Sequence, residues 1–220
     1  MKSNYEEALA AVLKHEGGFS NHPKDPGGAT MRGVTQAVYD DYRTNHSAVK
    51  QSVAKIEERE LQAIYRQQYW DKVWGDLLPS GVDYAVFDFA VNSGVKRAAE
   101  YLQRVAGVTP DGQIGNVTLA AVKAKDAEMV VNKLCDNRLA FLKRLSTWGT
   151  FGKGWENRVV GVRALALSLA TASPRPAPAK PPEKPVEPAP VPEPLPEQKA
   201  SGGLLAFILK LLAALFGRKP

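Results

Sequence analysis

The sequence predicts a mainly α-helical body that is interrupted by one short non-helical insert. Apolar side chains recur every three or four residues along most of residues 1–172, which is the spacing of one helix face. Glycine, proline, asparagine and aspartate crowd residues 17–33, where we expect a loop or a small β-hairpin. Proline is then so frequent from residue 174 onward that the globular part should end there.

We expect the first helix to run from Tyr5 to Glu16. Residues 3–6 (SNYE) match a capping box, in which the first and last side chains satisfy free amide groups at the helix start. An apolar stripe follows, and two glycines end it. Further helices are predicted at about residues 35–42, 55–72, 81–92, 96–106, 116–124, 126–148 and 155–170.

The C-terminal part of the chain has a composition of its own. Eleven of the 25 residues in 174–198 are proline, which favours an extended, semi-rigid spacer. Residues 204–216 follow, with Lys210 as their only polar residue, and a helix of that length is roughly 20 Å long, which is short for crossing a bilayer. We expect this tail to insert into a membrane or to lie on it. The alternative is a helix that docks on the body or on a partner protein.

Composition excludes several classes of protein. The single cysteine, Cys135, cannot form an intramolecular disulfide, and three histidines with it are too few for a Cys/His zinc module. Of the net charge of +6, the first 173 residues contribute 22 basic and 19 acidic residues without a clustered basic face, so we expect no nucleic-acid partner. No metal ion and no organic cofactor are expected.

The N-terminus predicts where the protein is made. Six apolar or small residues, 8–13, lie between acidic and basic neighbours, and this segment is too short and too acidic for the core of a signal peptide. We therefore expect synthesis in the cytoplasm without a signal peptide. An extracellular substrate would have to be reached by another route.

Glu16 is the first candidate for catalysis. It follows Val12 by four residues and Leu13 by three, so a helix that buries those side chains turns this carboxyl group toward the apolar side. Burial and the negative end of the helix both favour the protonated form, which a general acid needs. The alternative is an ordinary surface glutamate in front of a helix-ending glycine.

Asp25 and Thr30 are the candidates to act with Glu16. Residues 25–28 (DPGG) are a strong turn signal, able to bring the Asp25 carboxylate to face Glu16. Two carboxyl groups that flank a cleft are the minimum for most glycoside hydrolysis, and the Thr30 hydroxyl could fix a water. The alternative for Asp25 is plain turn chemistry.

Three short segments carry a resemblance to a known family. Residues 15–19 (HEGGF), 25–30 (DPGGAT) and 33–35 (GVT) resemble the N-terminal half of glycoside hydrolase family 108, which contains bacterial and phage N-acetylmuramidases and secretion-activating members. The resemblance implies a lysozyme-like helical domain with Glu16 as the catalytic acid. The Glu, Asp, Thr order is also similar to that of phage lysozymes, with Thr30 one position closer to Asp25 here.

The likeness continues through residues 65–71 (YRQQYWD) and 87–94 (FDFAVNSG). Sugar rings stack on exposed aromatic side chains, so Tyr69 and Trp70 are predicted as a substrate platform, with Asn92 bonding an acetamido or hydroxyl group. The alternative is that these aromatic residues, which recur at helical spacing, belong to the core.

Residues 111–118 (DGQIGNVT) resemble a turn of small helical peptidoglycan-binding modules, with Asp111, Gly112, Gly115 and Thr118 at the matching positions. Asn116 is expected to be the N-cap of the next helix. Whether this turn binds cell-wall polymer or completes the fold stays open. Residues 152–158 (GKGWENR) also resemble the end of family 108 chains.

These features predict four regions and one principal function. The regions are a lysozyme-like catalytic domain (1–95), a helical peptidoglycan-binding-like subdomain (96–172), a proline-rich linker (173–201) and a membrane-interacting tail (202–220). The function is hydrolysis of the β-1,4 bond between N-acetylmuramic acid and N-acetylglucosamine at the cell envelope, for lysis or for secretion through the wall. The alternatives are a lytic transglycosylase that uses one glutamate, and a non-catalytic peptidoglycan-binding or secretion-assembly protein. By resemblance alone, a holin or a secretion machine is the expected partner.

Overall fold

The computed structural model describes residues 4–21 and 28–172, and it confirms the prediction of a mainly α-helical body. Within these ranges the chain forms eight α-helices and a small antiparallel sheet. The helices are α1 (Tyr5–Leu13), α2 (Gln36–Asn45), α3 (Glu58–Tyr65), α4 (Val82–Ser93), α5 (Val95–Ala106), α6 (Asn116–Lys123), α7 (Ala127–Lys143) and α8 (Trp148–Ala172). The strands are β1 (Phe19–Ser20), β2 (Thr30–Met31) and β3 (Val34–Thr35).

Helix α4 forms the centre of the core. All of its residues are buried, and it packs against α1, α5, α7 and α8. A helix that is apolar all round is stable only inside a protein, which explains this position. Its two aspartates, Asp83 and Asp88, therefore need partners in the interior. Asp83 accepts a hydrogen bond from the side-chain amide of Asn4 at 2.9 Å, and burial raises its pKa to about 6.

The non-helical insert is the sheet, in which β2 lies between β1 and β3. Thr30 pairs with Ser20 on one side and with Thr35 on the other. The tight turn between β2 and β3 has positive φ angles of 48° at Arg32 and 80° at Gly33. The predicted loop or small hairpin is thus a three-stranded sheet in the part of the insert that the structure describes.

Helix α1 begins at Tyr5 as predicted, but its N-cap and its C-terminal end differ from the prediction. Its N-cap is Asn4, whose side chain makes no capping bond because its amide donates to Ser80 Oγ at 2.7 Å and to Asp83. The helix ends at Leu13, so Glu16 follows it instead of lying in its last turn. The chain continues in tight turns there, and the Glu16 N–H donates to the Leu13 carbonyl at 3.2 Å.

The helix predicted over about residues 55–72 is found over a shorter range, because α3 passes directly into a π-helical turn (Arg66–Trp70) and a separate 3₁₀ turn (Val53–Lys55) precedes it. A local cap starts α3 inside the predicted helix, because the Glu60 carboxylate accepts the N–H of Glu57 at 3.1 Å.

Two more boundaries differ in the C-terminal half. Helix α7 starts as predicted, with the Asp126 side chain accepting the Met129 N–H at 2.9 Å, but it ends at Lys143. Helix α8 then begins at Trp148, well before the predicted residue 155. The N-cap of α6 is Gly115, so Asn116 is the first helical residue instead of the cap.

The predicted linker and apolar tail lie outside the described residues, and the predictions of a membrane contact and of a holin or secretion-machine partner therefore stay predictions. Across residues 4–21 and 28–172, none of the helices combines the length and the apolar character that a membrane span requires. The predicted division of the body at residues 95 and 96 also stays a prediction.

Candidate functional site

The Glu16 side chain lies in the interior, just after α1, and only 6% of it is exposed. Its carboxylate oxygen Oε1 accepts a hydrogen bond from Nη1 of Arg158 at 3.2 Å. Arg158 comes from α8, 142 residues along the chain, and it is itself buried. Most glutamate side chains lie on the protein surface in contact with water. A glutamate carboxyl group that is shielded from water and contacts one cation is therefore unusual.

Arg158 connects Glu16 to a second carboxylate. Its Nε lies 3.1 Å from both oxygens of Asp88, and its Nη2 donates to Oδ2 of Asp88 at 2.9 Å. Asp88 also forms an ion pair of 2.7 Å with Arg138 from α7. We call these four side chains, Glu16, Arg158, Asp88 and Arg138, the buried charge network. In the described ranges no three or more His, Cys, Asp and Glu side chains are grouped so that they could hold a metal ion.

The backbone of the β2–β3 turn lies very close to Tyr65 and to the Glu16 carboxyl group. The Tyr65 hydroxyl donates to the Arg32 carbonyl at 2.8 Å, which fixes the β2–β3 turn against α3. Gly33 in that turn is so close that an added Cβ would collide with the Tyr65 hydroxyl and lie 3.3 Å from Glu16 Oε2. Only glycine fits this space and this positive φ without strain.

The pKa values of the two carboxyl groups in the buried charge network are shifted in opposite directions. Burial raises the pKa of Glu16, although Arg158 lowers it in part and Asp88 adds to the rise. Asp88 is fully buried, yet its two arginines hold its pKa at about 2. Burial raises the pKa of Tyr65 and Tyr69, and the negative charge of Glu16 raises it further, so both phenols lie within electrostatic reach of this carboxyl group. Glu16 is thus suited to hold a proton while Asp88 is ionised.

Glu16→Gln is expected to stabilise the fold at neutral and mildly alkaline pH. Because the folded-state pKa of Glu16 is raised, the wild-type fold is favoured below the ordinary glutamate pKa of about 4.3 and loses that advantage as pH rises through the folded-state value. Glutamine carries no charge and avoids this loss. Thermal unfolding should give the variant a higher Tm than wild type at pH 8, with a smaller difference at pH 4; each ~1 kcal/mol corresponds to about 2–4 °C. An advantage that shrinks with rising pH would contradict the raised pKa.

Of the two predicted partners of Glu16, the structure describes only Thr30. Asp25 lies outside the described residues. Thr30 lies on β2 and is completely buried, and its hydroxyl has no hydrogen-bond partner among the described residues. A buried hydroxyl without a partner costs free energy, which a bonded water molecule would offset.

The predicted aromatic platform is wrong for Trp70. This side chain is completely buried, its ring packs against Tyr5 and Phe87, and its indole N–H donates to Asp76 at 2.8 Å. The structure therefore makes Trp70 a core residue. Tyr69 is half-buried, stacks against Tyr65 at 5.7 Å between ring centroids and stays a candidate for substrate contact.

Asn92 is less accessible than the predicted substrate contact requires. Only 6% of the residue is exposed, because it lies on the central helix α4, and its Oδ1 accepts the Ser93 hydroxyl at 3.1 Å. In this conformation Asn92 has a structural position, and a sugar could reach it only after a local movement.

The turn at residues 111–118 is organised around a residue that the sequence did not single out, Gln103 on α5. Its amide nitrogen donates to Asp111 Oδ1 at 2.7 Å and to the Thr118 hydroxyl at 3.3 Å, and its amide oxygen accepts the Gly112 N–H at 2.9 Å. Gly112 has the positive φ expected of this turn, 82°. Gly115 precedes α6 as its N-cap. These contacts give the four motif residues a structural function, and polymer binding by them stays a prediction.

The main residue that the sequence analysis missed is Arg158. A signal was present, because Arg158 lies three residues after Trp155 and four before Val162, on the buried face of α8. A charged residue at such a position needs a buried partner of opposite charge. Tyr65 and Gly33 were part of the quoted segments, but only the folded chain shows their contact.

Comparison with known proteins gives two matches to protein families, one after the other along the chain. Residues 9–94 match the family described as glycosyl hydrolase 108, and residues 97–160 match one described as a predicted peptidoglycan domain. No match was found among curated proteins. This pair of matches supports a peptidoglycan hydrolase or a secretion-related protein that acts at the cell envelope.

Solved structures extend the comparison, and twelve of their chains match. One is described as the structure of Brucella abortus SagA. It is 47% identical in sequence, with a TM-score of 0.65, and the match covers 76% of this chain and 95% of that one. Identity at this level over nearly the whole relative, together with the family match around Glu16, assigns the chain: it belongs to the glycosyl hydrolase 108 family.

Proposed function

We propose that the protein is an N-acetylmuramidase that hydrolyses the β-1,4 bond between N-acetylmuramic acid and N-acetylglucosamine in peptidoglycan. The observation that carries this proposal is the state of Glu16, a carboxyl group with a raised pKa in the segment that resembles the family's catalytic motif. A glycosidic oxygen is a poor leaving group until it is protonated, and a carboxylic acid that keeps its proton near neutral pH can supply that proton.

Glu16 acts as the general acid in this proposal. Its proton passes to the glycosidic oxygen as the bond from that oxygen to C1 of N-acetylmuramic acid breaks. Water then adds to C1 and gives a proton to a second carboxylate, so that the products are two new sugar ends; that carboxyl group releases its proton to solvent and Glu16 takes one up, which regenerates the enzyme. The dry surroundings of Glu16, with Tyr65 and Gly33 above it, favour the protonated acid before the substrate arrives.

The group that activates the water is the second part of the proposal. Asp88 is unsuitable, because its oxygens are already taken by Arg158 and Arg138. We assign the role to Asp25, with the Thr30 hydroxyl, which has no partner among the described residues, positioning the water. A separation of about 6.5–9.5 Å between the Glu16 and Asp25 carboxyl groups would fit this role and give inversion at C1, whereas at about 5–5.5 Å Asp25 would itself attack C1 and the outcome would be retention.

The decisive experiment compares Glu16→Gln with wild type on purified peptidoglycan. Glutamine keeps the shape of the side chain and removes the proton donor, so we expect turnover to fall about 100- to 10,000-fold. Glu7→Gln is the matched control, since it makes the same change on the exposed face of α1. It should digest peptidoglycan like wild type. Normal digestion by Glu16→Gln would refute the assignment of the acid.

The masses of the released fragments test the type of reaction. Hydrolysis leaves a reducing N-acetylmuramic acid end, whereas a lytic transglycosylase closes an internal ring and leaves an anhydro end that is lighter by one water. The transglycosylase is our second candidate because Asp88, the other carboxylate near Glu16 in the described part of the chain, is held by two arginines. Anhydro ends would select it over hydrolysis.

The same digest separates both enzymes from a non-catalytic peptidoglycan-binding or secretion-assembly protein. Such a protein would cosediment with peptidoglycan without releasing fragments, and Glu16→Gln would bind as wild type does. Fragments that appear with wild type and disappear with Glu16→Gln would exclude this role as the only one.

A further inference from the structure

We propose that Arg158, held in place by Asp88, is a positioning residue that orients the Glu16 carboxyl group and stabilises the carboxylate left after proton transfer. The inference rests on the proposed role of Glu16 as the acid. It concerns a residue that stood in a quoted segment, residues 152–158, without being given a role.

The geometry of the guanidinium group is the first argument. The edge of Arg158 that carries Nε and Nη2 is used by Asp88, with separations of 3.1, 3.1 and 2.9 Å, and this two-oxygen contact fixes the plane of the group. Nη1 then points to the other side, where it donates to Glu16 Oε1 at 3.2 Å. Arg158 thus has a strong contact with Asp88, which fixes its position, and a longer contact with the carboxyl group of Glu16.

The order of charges is the second argument. Arg158 and Arg138 both pair with Asp88, at 2.9 and 2.7 Å, so two positive charges share one negative charge. While Glu16 is protonated, Arg158 faces a neutral group. When the proton leaves, the same N–H faces a full negative charge and the contact becomes an ion pair. An interaction that strengthens as the reaction proceeds lowers the barrier, whereas one of constant strength does not.

Arg158 also explains how a buried acid can release its proton. Burial alone would make the carboxylate of Glu16 too costly, and the reaction would stall at proton transfer. The contact with Arg158 offsets part of that cost, in agreement with its lowering effect on the pKa of Glu16. The titratable and charged groups around Glu16 and its arginine are His15 from the turn after α1, Arg32, Tyr65, Tyr69, Asp88 from α4, Arg138 from α7 and Arg158 from α8.

The test is the titration of Glu16 followed by NMR, with the side-chain carbon resonance identified by its absence in Glu16→Gln. In wild type, the Arg158 guanidinium resonances should shift with the same midpoint as the Glu16 carboxyl. This titration is made on the wild-type protein, and it does not depend on enzymatic activity or on a substitution in the buried charge network. Separate midpoints would overturn the contact.

Arg158→Gln then separates an electrostatic role from a structural one. Loss of the cation should move the Glu16 midpoint to higher pH, and the alkaline limb of the pH profile for kcat should follow it. A variant that merely loosens the fold would let water reach Glu16 and move the midpoint to lower pH, which would overturn the proposal. We expect kcat to fall about 100-fold with KM changed less than about threefold.

Two further variants complete the design. Arg158→Lys keeps the positive charge without the two-edged contact, so the Glu16 midpoint should return toward wild type and kcat should recover in part. Arg163→Gln on the same helix is the control, since that side chain pairs with Asp136 at the surface and should leave both quantities unchanged. Full activity of Glu16→Gln would defeat the proposed function, whereas a lowered midpoint in Arg158→Gln with an inactive Glu16→Gln would defeat this inference alone.

Discussion

Gly33→Ala is expected to lower the free energy of unfolding by about 3 kcal/mol and peptidoglycan digestion about 100-fold. The φ of 80° at Gly33 alone costs an alanine about 1–2 kcal/mol. The new methyl group would also collide with the Tyr65 hydroxyl, which would have to release the Arg32 carbonyl. The turn would then move away from Glu16, and a displacement of about 1 Å near reacting groups can cost about 100-fold in rate.

Gly107→Ala separates the two causes in this experiment. Gly107 has the same φ of 80°, but an added Cβ there meets no atom within 4 Å. This variant should lose only the backbone contribution, about 1–2 kcal/mol, and should digest peptidoglycan normally. Urea unfolding and the digest measure both quantities. Equal losses of stability and activity in the two variants would show that the close approach to Glu16 has no special role.

The sequence predicted Glu16 because its signal is local. Its burial was expected from a shared helix face with Val12 and Leu13, and the side chain is indeed buried although α1 ends before it; the glycines behind it form a recognisable motif. The helical body was equally predictable from its apolar period. The helix boundaries were less predictable. Asn4 is an example, because its side-chain amide donates hydrogen bonds to Ser80 and Asp83, which are distant in the sequence.

The rest of the site depends on contacts between distant parts of the chain. Arg158 meets Glu16 across 142 residues and Asp88 across 70, and a single sequence carries no measure of such distances. Trp70 illustrates the opposite error. An aromatic residue next to a motif suits both stacking on a sugar and packing in a core, and only the neighbours Tyr5 and Phe87 decide between them.

Asp88→Asn should be the most destabilising of the proposed substitutions, with a loss of about 3–5 kcal/mol. The amide keeps the shape of the side chain but leaves Arg158 and Arg138 buried without their counter-charge. Asp136→Asn is the matched control, because that aspartate pairs with Arg163 at the surface and should cost less than about 1 kcal/mol. Urea unfolding at pH 7 measures both values, and a small loss for Asp88→Asn would show that the network contributes little to stability.

The pH dependence of the stability loss in Asp88→Asn gives a second check. Its sign is opposite to the pH dependence expected for Glu16→Gln. Because the pKa of Asp88 is about 2 in the fold, against about 3.9 for a free aspartate, its contribution is complete above the higher value and is lost as pH falls toward the lower one. The difference between wild type and Asp88→Asn should therefore shrink between about pH 4 and pH 2. Glu16 shares Arg158 with Asp88 but has a single, longer contact to it, so burial dominates and its pKa moves upward. Arg158 thus lowers the pKa of both carboxyl groups, but only for Glu16 does burial outweigh it and shift the pKa upward.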